Sequence, residues 1–247
     1  AMQQWRVVRG SSRRNGWLTA LCVLTGIGLA LALGQCRLGR QHEMTRAVVV
    51  AGAGETPVTV NHAAFLRWMQ AKPERAAQVA AFERYLAAEG LAEIVPPWTL
   101  LRAEAKRSAQ CHAEPFVLPP RALWPHIRPA LRIVRARVIP AIGRVDVAST
   151  YRDPSLNGCA GGAGQSRHMQ FAAIDLEPRA QPDVRSSFTR LCAAWRRYGP
   201  AEAWGLGAYY DPAHPTWSAR GRFHVDGTGW RTWGFSKHSA SSGCHVV

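Results

Sequence analysis

The apolar positions of the chain change period several times, and each change predicts an element. Trp17 to Gly34 reads WLTALCVLTGIGLALALG, eighteen residues without a charge. A run of that length is about enough to cross a hydrocarbon core, which takes roughly 17–25 residues. It is apolar on every side and carries three glycines, so a membrane anchor or a cleaved signal fits it better than a buried core helix. From Asn61 to about Gly90 the spacing turns helical. Asn61 can cap; Phe65, Trp68 and Met69 share a face, and Phe82 and Tyr85 lie on one side of the next stretch. Pro96-Pro97 ends this part. Pro129 to about Pro140 predicts another helix, with Leu131, Val134 and Val138 on one face and Pro140 and Gly143 as the stop. Behind Asp183, Val184, Phe188, Leu191, Cys192 and Trp195 form a buried stripe, ended by Gly199 and Pro200.

Shorter apolar runs between these helices predict strands. Arg144 to Arg152 alternates and delivers Tyr151 and Arg152 to a loop rich in Asp, Pro, Asn and Gly. Phe171 to Leu176 is too apolar and too short for a surface helix. Pro178 closes it, because the residue before a proline is pushed out of helix. We read a buried strand through Asp175. Trp204 to Tyr210 and Phe223 to Val225 are two further candidates, the second followed by turn signals at Gly227 and Gly229. The Ser-rich tail from Ser236 predicts a loose end.

Two of these strands carry the candidate chemistry. His168 and Asp175 are seven positions apart, and His224 sits in Phe223-His224-Val225-Asp226. Two histidines and one carboxylate are the protein ligands of an open zinc site. His168 falls on the turn before its strand, so the chain can double back beside Asp175. A buried carboxylate needs a charge partner, and a metal ion is one. On a strand, His224 and Asp226 face the same side. Asp226 is thus either a further acid at the site or a cap for the following turn. The run Gly158 to Gly164 is flexible backbone, not a phosphate loop, because no Gly-Lys-Ser/Thr follows. Trp230 and Trp233 read as packing residues. His42, His62, His112, His126, His214, His238 and His245 show no pattern.

Charge and cysteines add the setting. The net charge is +15, which speaks to partners and solubility rather than fold. An anionic membrane surface, an anionic wall polymer and nucleic acid would all suit it. No zinc-finger spacing and no aromatic RNP pattern is present, so nucleic acid is not the expected partner. Arg6, Arg9, Arg13 and Arg14 precede the apolar run; such a flank stays in the cytoplasm and sends the rest across. Export places Cys111, Cys159, Cys192 and Cys244 in an oxidising compartment, where one or two disulfides are expected. Their pairing is open, and Cys192 could equally be a small core residue.

Taken in order, Ser-Thr-Tyr-Arg before a Gly-rich loop, Ser-x-His with six residues to Asp, Gly-x-Gly-x-Tyr and His-Val-Asp resemble the zinc D-alanyl-D-alanine peptidases of the M15 family. The resemblance covers about residues 118 to 235. It implies an α+β fold with a central antiparallel sheet and flanking helices, shared with the hedgehog amino-terminal domain. It implies one Zn2+ and cleavage of peptidoglycan stem or cross-link peptides, by a carboxypeptidase or endopeptidase of the bacterial cell envelope. Position by position, His168, Asp175 and His224 match the metal ligands. Arg152 matches the arginine that holds the substrate carboxylate, with Tyr151 beside it, and Ser166 matches a serine next to the substrate. Many members place a Glu three residues before the last ligand, and others a His two before it; here those positions are Gly221 and Arg222. The general base expected on the same-face argument is Asp226, with Glu202 and Asp211 as weaker candidates. The expected organisation is a basic terminus and anchor or signal over 1–36, a linker over 37–60, and a helical subdomain over 61–117. The zinc peptidase domain would follow over 118–235, and the loose tail over 236–247. A non-catalytic wall-binding module on the same fold is the alternative.

Overall fold

The protein is described from a computed structural model, which describes residues 60–180 and 183–247. The apolar run Trp17–Gly34, its basic flank and the 37–60 linker, apart from Val60, lie outside the described residues. Among the described residues no helix is long and apolar enough to cross a membrane.

Helix α1 (His62–Gln70) begins as its sequence dictates. The Asn61 side chain accepts from the Ala64 N–H at 2.8 Å, and Phe65 and Trp68 are buried. Pro73 sits in the first turn of α2 (Pro73–Ala88), where its missing N–H costs nothing. Glu114 ties the pair down: it accepts from Trp68 Nε1 at 2.8 Å and from Arg75 Nη2 at 2.5 Å, while Arg75 stacks over the Trp68 ring at 4.2 Å. Burial pushes the Glu114 carboxyl up, but the bonds from Arg75 and Trp68 outweigh it and hold it below the ordinary value. A depressed carboxylate stabilises above its unfolded value, and that share is lost as pH falls through the folded one. Glu114→Gln should therefore lower the melting temperature at pH 7, and the gap to wild type should close below about pH 4.3, read by thermal denaturation across pH.

A short helix α3 (Ala105–Gln110) follows, capped by the Glu104 carboxylate on the Arg107 N–H. Next come α4 (Arg128–Ile133), a π turn over Val134–Val138, and α5 (Ile139–Ile142). Pro140 has no N–H and its ring crowds the carbonyl four residues back. The wider π turn takes up that mismatch and keeps Leu131, Val134 and Val138 buried. The helix continues past Pro140, and Gly143, at φ 83°, ends it.

Five strands make one sheet: β1 (Val145–Ser149), β2 (Ala173–Pro178), β3 (Gly205–Ala208), β4 (Phe223–Asp226) and β5 (Arg231–Trp233), in the order β1-β2-β4-β3-β5. Three pairings are antiparallel and β3–β5 is parallel. The sheet is thus mixed, not antiparallel throughout. β4 already has a neighbour on each side, and β5 joins at the free edge of β3. Helix α6 (Pro154–Cys159) leads into the Gly-rich loop. Helix α7 (Val184–Glu202) contacts β3 and buries Phe188, Leu191, Cys192 and Trp195. It runs past Gly199 and Pro200 and ends at Ala203, at φ 50°. Gly199 serves a close contact instead: a Cβ there would lie 2.5 Å from Trp230 Cδ1. A last short helix, α8 (Pro215–Ser218), precedes β4.

The helices of 61–117 and the sheet share one core. Phe82 meets Trp124 at 5.2 Å and Phe171 at 5.9 Å. Buried Arg102 donates to the Val147 carbonyl of β1 at 2.8 Å, and Thr150 Oγ1 donates to the Leu100 carbonyl at 2.6 Å. The tail is not loose. Cys244 is bonded to Cys192 of α7, Ser242 Oγ lies 2.6 Å from Thr232 Oγ1, and both tail residues are buried. A second disulfide joins Cys111 to Cys159.

Candidate active site

The site begins at a reversal of the backbone. Ser166 accepts from the His168 N–H at 3.3 Å and starts a 3-10 turn over Arg167–Gln170. Phe171 then takes a left-handed conformation, φ 52°, which costs a bulky residue about 1–2 kcal/mol. Its ring is fully buried against Phe82 and Tyr151, which holds the strained position. The reversal folds His168 back over β2. On β2 and β4, Asp175 and His224 are direct cross-strand partners.

The three side chains meet. His168 Nε2 lies 3.1 Å from His224 Nδ1 and 3.3 Å from Asp175 Oδ1, and His224 Nδ1 lies 3.1 Å from Asp175 Oδ1. All three residues are buried. Each is fixed from behind. His168 Nδ1 donates to the Thr150 carbonyl, His224 Nε2 donates to Asp226 Oδ2 at 3.1 Å, and Ser149 Oγ donates to Asp175 Oδ2 at 2.8 Å. These outward bonds use the ring protons, so both inward nitrogens present lone pairs. Three acceptor atoms therefore crowd one point, which a bound metal cation, or a proton on one imidazole, relieves. Ligands at about 2.0–2.2 Å in a tetrahedral zinc site lie roughly 3.3–3.6 Å apart, close to the spacing found. The donor set and its outer partners fit zinc.

The charge states of His168 and Asp175 suit such a ligand set, while that of His224 favours a protonated ring until a cation displaces the inward proton. Burial lowers His168, and the Arg152 guanidinium adds to this against the pull of Asp175. Burial raises Asp175, but the two histidines outweigh it and hold the carboxyl well below its usual range. Burial would lower His224, yet Asp175 and Asp226 raise it on balance.

β3 leaves the room. Gly205 and Gly207 pair with Asp226 and His224. A Cβ on Gly207 would stand 2.8 Å from His224 Cβ, and one on Gly205 would stand 2.5 Å from Asp226 Oδ2. The Gly-x-Gly of the sequence is thus a steric requirement of the two residues facing it.

The His168, Asp175 and His224 group lies in a cleft of about 830 Å3. Arg152 and Ser166 line it; the Arg152 Nε is buried without a protein partner. Tyr151 does not line it. Its ring turns into the core against Phe171, 6.5 Å away, so it is a packing residue rather than a substrate contact. Asp226 is also misplaced for a general base. It is fully buried behind His224 and accepts further bonds from Thr228 Oγ1 at 2.6 Å and Arg231 Nη2 at 2.8 Å. Burial raises its carboxyl, but these partners, His224 foremost, hold it far below the ordinary value. Glu202 pairs with Arg137 at 2.5 Å on the end of α7, away from the cleft. Asp211 binds His214 at 2.8 Å and borders a separate hollow.

Residues that the sequence left without a role do reach the cleft: Glu104, Lys106 and Arg107 from the helical region, and Tyr209 and Arg222; Trp233 lines it as well. The Arg222 guanidinium lies 3.6 Å from Glu104 and 3.4 Å from Glu177. Trp233 packs on the His224 ring at 5.0 Å, as expected of a packing residue, and donates to Tyr209 Oη at 3.3 Å. Burial pushes the Tyr209 phenol well up, so it stays a hydrogen-bond donor. The Gly-x-Gly-x-Tyr order held a signal for Tyr209. Glu104 had none, because it is one acid in an Ala- and basic-rich stretch.

The family model described as Peptidase M15 matches residues 102–214. The match includes Glu104, Arg152, Ser166, His168 and Asp175 and stops before His224, which joins the group through the pairing of β2 with β4. It begins well before residue 118, in keeping with the helical residues found in the cleft. It supports the M15 peptidase family for this region, and a metallopeptidase with it. No curated protein and no solved structure matches the chain.

Proposed function

We propose that the protein is a zinc-dependent peptidase of the M15 type that hydrolyses peptidoglycan stem or cross-link peptides. One observation carries the reading: His168, Asp175 and His224 turn three lone-pair atoms onto one point while every outward bond is already made. Zinc held by them supplies Lewis acidity and an acidified water for amide hydrolysis.

The chain's own residues supply the rest. Arg152 offers a guanidinium fork, with its Nε unpaired, to a substrate carboxylate beside the metal group. Ser166 fixes the His168 turn and borders the bound peptide. Among the described residues lining the cleft, Glu104 is the one carboxylate that is not a metal ligand. It is held by Arg222 and by its bond to the Arg107 N–H, and we assign it the proton of the attacking water, to be passed to the leaving amine. Tyr209 and Arg222 are donors facing the same space and suit the developing oxyanion. The apolar run Trp17–Gly34, with its basic flank against the anionic cytoplasmic face, would tether the enzyme with its catalytic part on the periplasmic side, and the two disulfides suit that compartment.

The test is metal content measured together with activity. We expect one zinc per chain and release of D-alanine or cut cross-bridges from purified peptidoglycan. A chelator should abolish that release and added zinc restore it. Zinc without any product would turn the reading to a wall-binding module. Absence of zinc in the purified and zinc-treated protein alike would overturn the metal site.

A further inference from the structure

The cleft is more basic than the chain around it. Seven of its 21 lining residues are Lys or Arg, against 31 of 247 overall, an enrichment of about threefold. Only Glu104 and Asp175 oppose them. Three of the seven are accounted for. Arg231 pairs with Asp226, Arg222 lies between Glu104 and Glu177, and Arg152 stands beside the metal group. Lys106, Arg107, Arg167 and Lys237 have no carboxylate within 4.0 Å among the described residues.

Three of these four belong to one wall. Lys106 and Arg107 lie on α3, and Cys111 at its end is bonded to Cys159 at the start of the Gly-rich loop. From the far end of the chain, Lys237 Nζ donates to the Gly161 carbonyl of the same loop at 2.9 Å. Two segments 130 residues apart thus bring uncompensated cations to one rim. Like charges gathered in a concavity repel unless an anion sits among them, and the walls focus their field. Arg167 is set aside, because it adjoins the ligand His168.

We propose that Lys106, Arg107 and Lys237 form a second anion subsite, which takes a side-chain carboxylate of the substrate peptide away from the bond that is cut. The inference rests on the peptidase reading and narrows its substrate. The peptide carries two free carboxylates, one for Arg152 beside the metal group and one for this rim. A cleft of about 830 Å3 has room for several residues between them.

The test is equilibrium binding, so that turnover is not needed to read it. Two labelled peptides with an N-methylated scissile bond would be compared on the full chain by fluorescence anisotropy. One has the side-chain carboxylate free and the other has it amidated. Wild type should bind the acid about tenfold more tightly than the amide, and the preference should fade in about 0.5 M salt. In Lys106→Gln/Arg107→Gln/Lys237→Gln both peptides should bind alike; the three side chains are exposed, so the variant should fold, as circular dichroism would verify. Equal binding of acid and amide by wild type, or a preference that survives in the variant, would overturn the subsite. So would a phosphate polymer that binds tightly through these cations while the two peptides bind alike. Hydrolysis of the unmodified diacid peptide is read separately. Discrimination in binding without hydrolysis would keep the subsite and sink the peptidase.

Discussion

Asp226→Asn should weaken zinc binding about 10- to 100-fold and lose activity mainly through that loss. Asp226 takes the Nε2 proton of His224 and so fixes the tautomer that turns Nδ1 toward His168 and Asp175. An amide at that place can present its NH2 to Nε2, which favours the wrong tautomer. Thr228 Oγ1 and Arg231 Nη1, which donate to the other oxygen, would keep the side chain in place, so the fold should survive. Activity should then recover substantially as zinc is raised. Glu104→Gln should behave in the opposite way. Its zinc content should be that of wild type, and kcat should fall about 10²- to 10⁴-fold at any zinc level. Zinc titration with activity separates the two: a base at Asp226 would give full zinc binding and a kcat that no added zinc restores. That result would return the proton to Asp226 and leave Glu104 as a cap for α3.

The two predictions differ because periodicity could locate the strand of Asp226 but not the depth at which its carboxylate lies. Alternation places His224 and Asp226 on one face, and they are on one face. It says nothing of Arg231 and Thr228, which close over Asp226 from the next turn and strand. The candidate ligands were legible because Asp175 and His224 are polar residues inside apolar runs, where a buried polar group demands a partner, and His168 stands on the turn that leads into the first of them. The helices were legible at their caps. Asn61 and Asp183 accept where their sequences imply, but Pro140 and Gly199 mislead as stops because packing overrides them. What was not legible arose from long-range pairing. The parallel entry of β5 depends on which edge is free, and the place of Glu104 depends on α3 being drawn to the Gly-rich loop by Cys111–Cys159.

Removing the disulfides should have the largest effect on stability. Cys111–Cys159 and Cys192–Cys244 span 48 and 52 residues, in loops that do not overlap. Restricting an unfolded chain with loops of that size is worth about 4 kcal/mol each in the chain-entropy model. A domain of this kind has only about 5–15 kcal/mol in all. One lost bond should lower the melting temperature by about 8–16 °C, and loss of both should leave little folded protein at 37 °C. The two should differ in function. Cys192–Cys244 ties the tail to α7, and neither cysteine lines the cleft, so Cys192→Ser/Cys244→Ser should chiefly lose stability and, at a temperature where it is folded, change KM less than the other pair does. Cys111–Cys159 joins α3 to the Gly-rich loop, both of which line the cleft. Cys111→Ser/Cys159→Ser should therefore also raise KM under the same conditions. Thermal denaturation with steady-state kinetics at 20 °C checks both, and an unchanged KM in the second variant would show that the cleft wall stands without its cross-link. Both bonds need an oxidising medium to form. Fully reduced, the domain would lack both contributions, about 8 kcal/mol together, which is comparable to its whole stability.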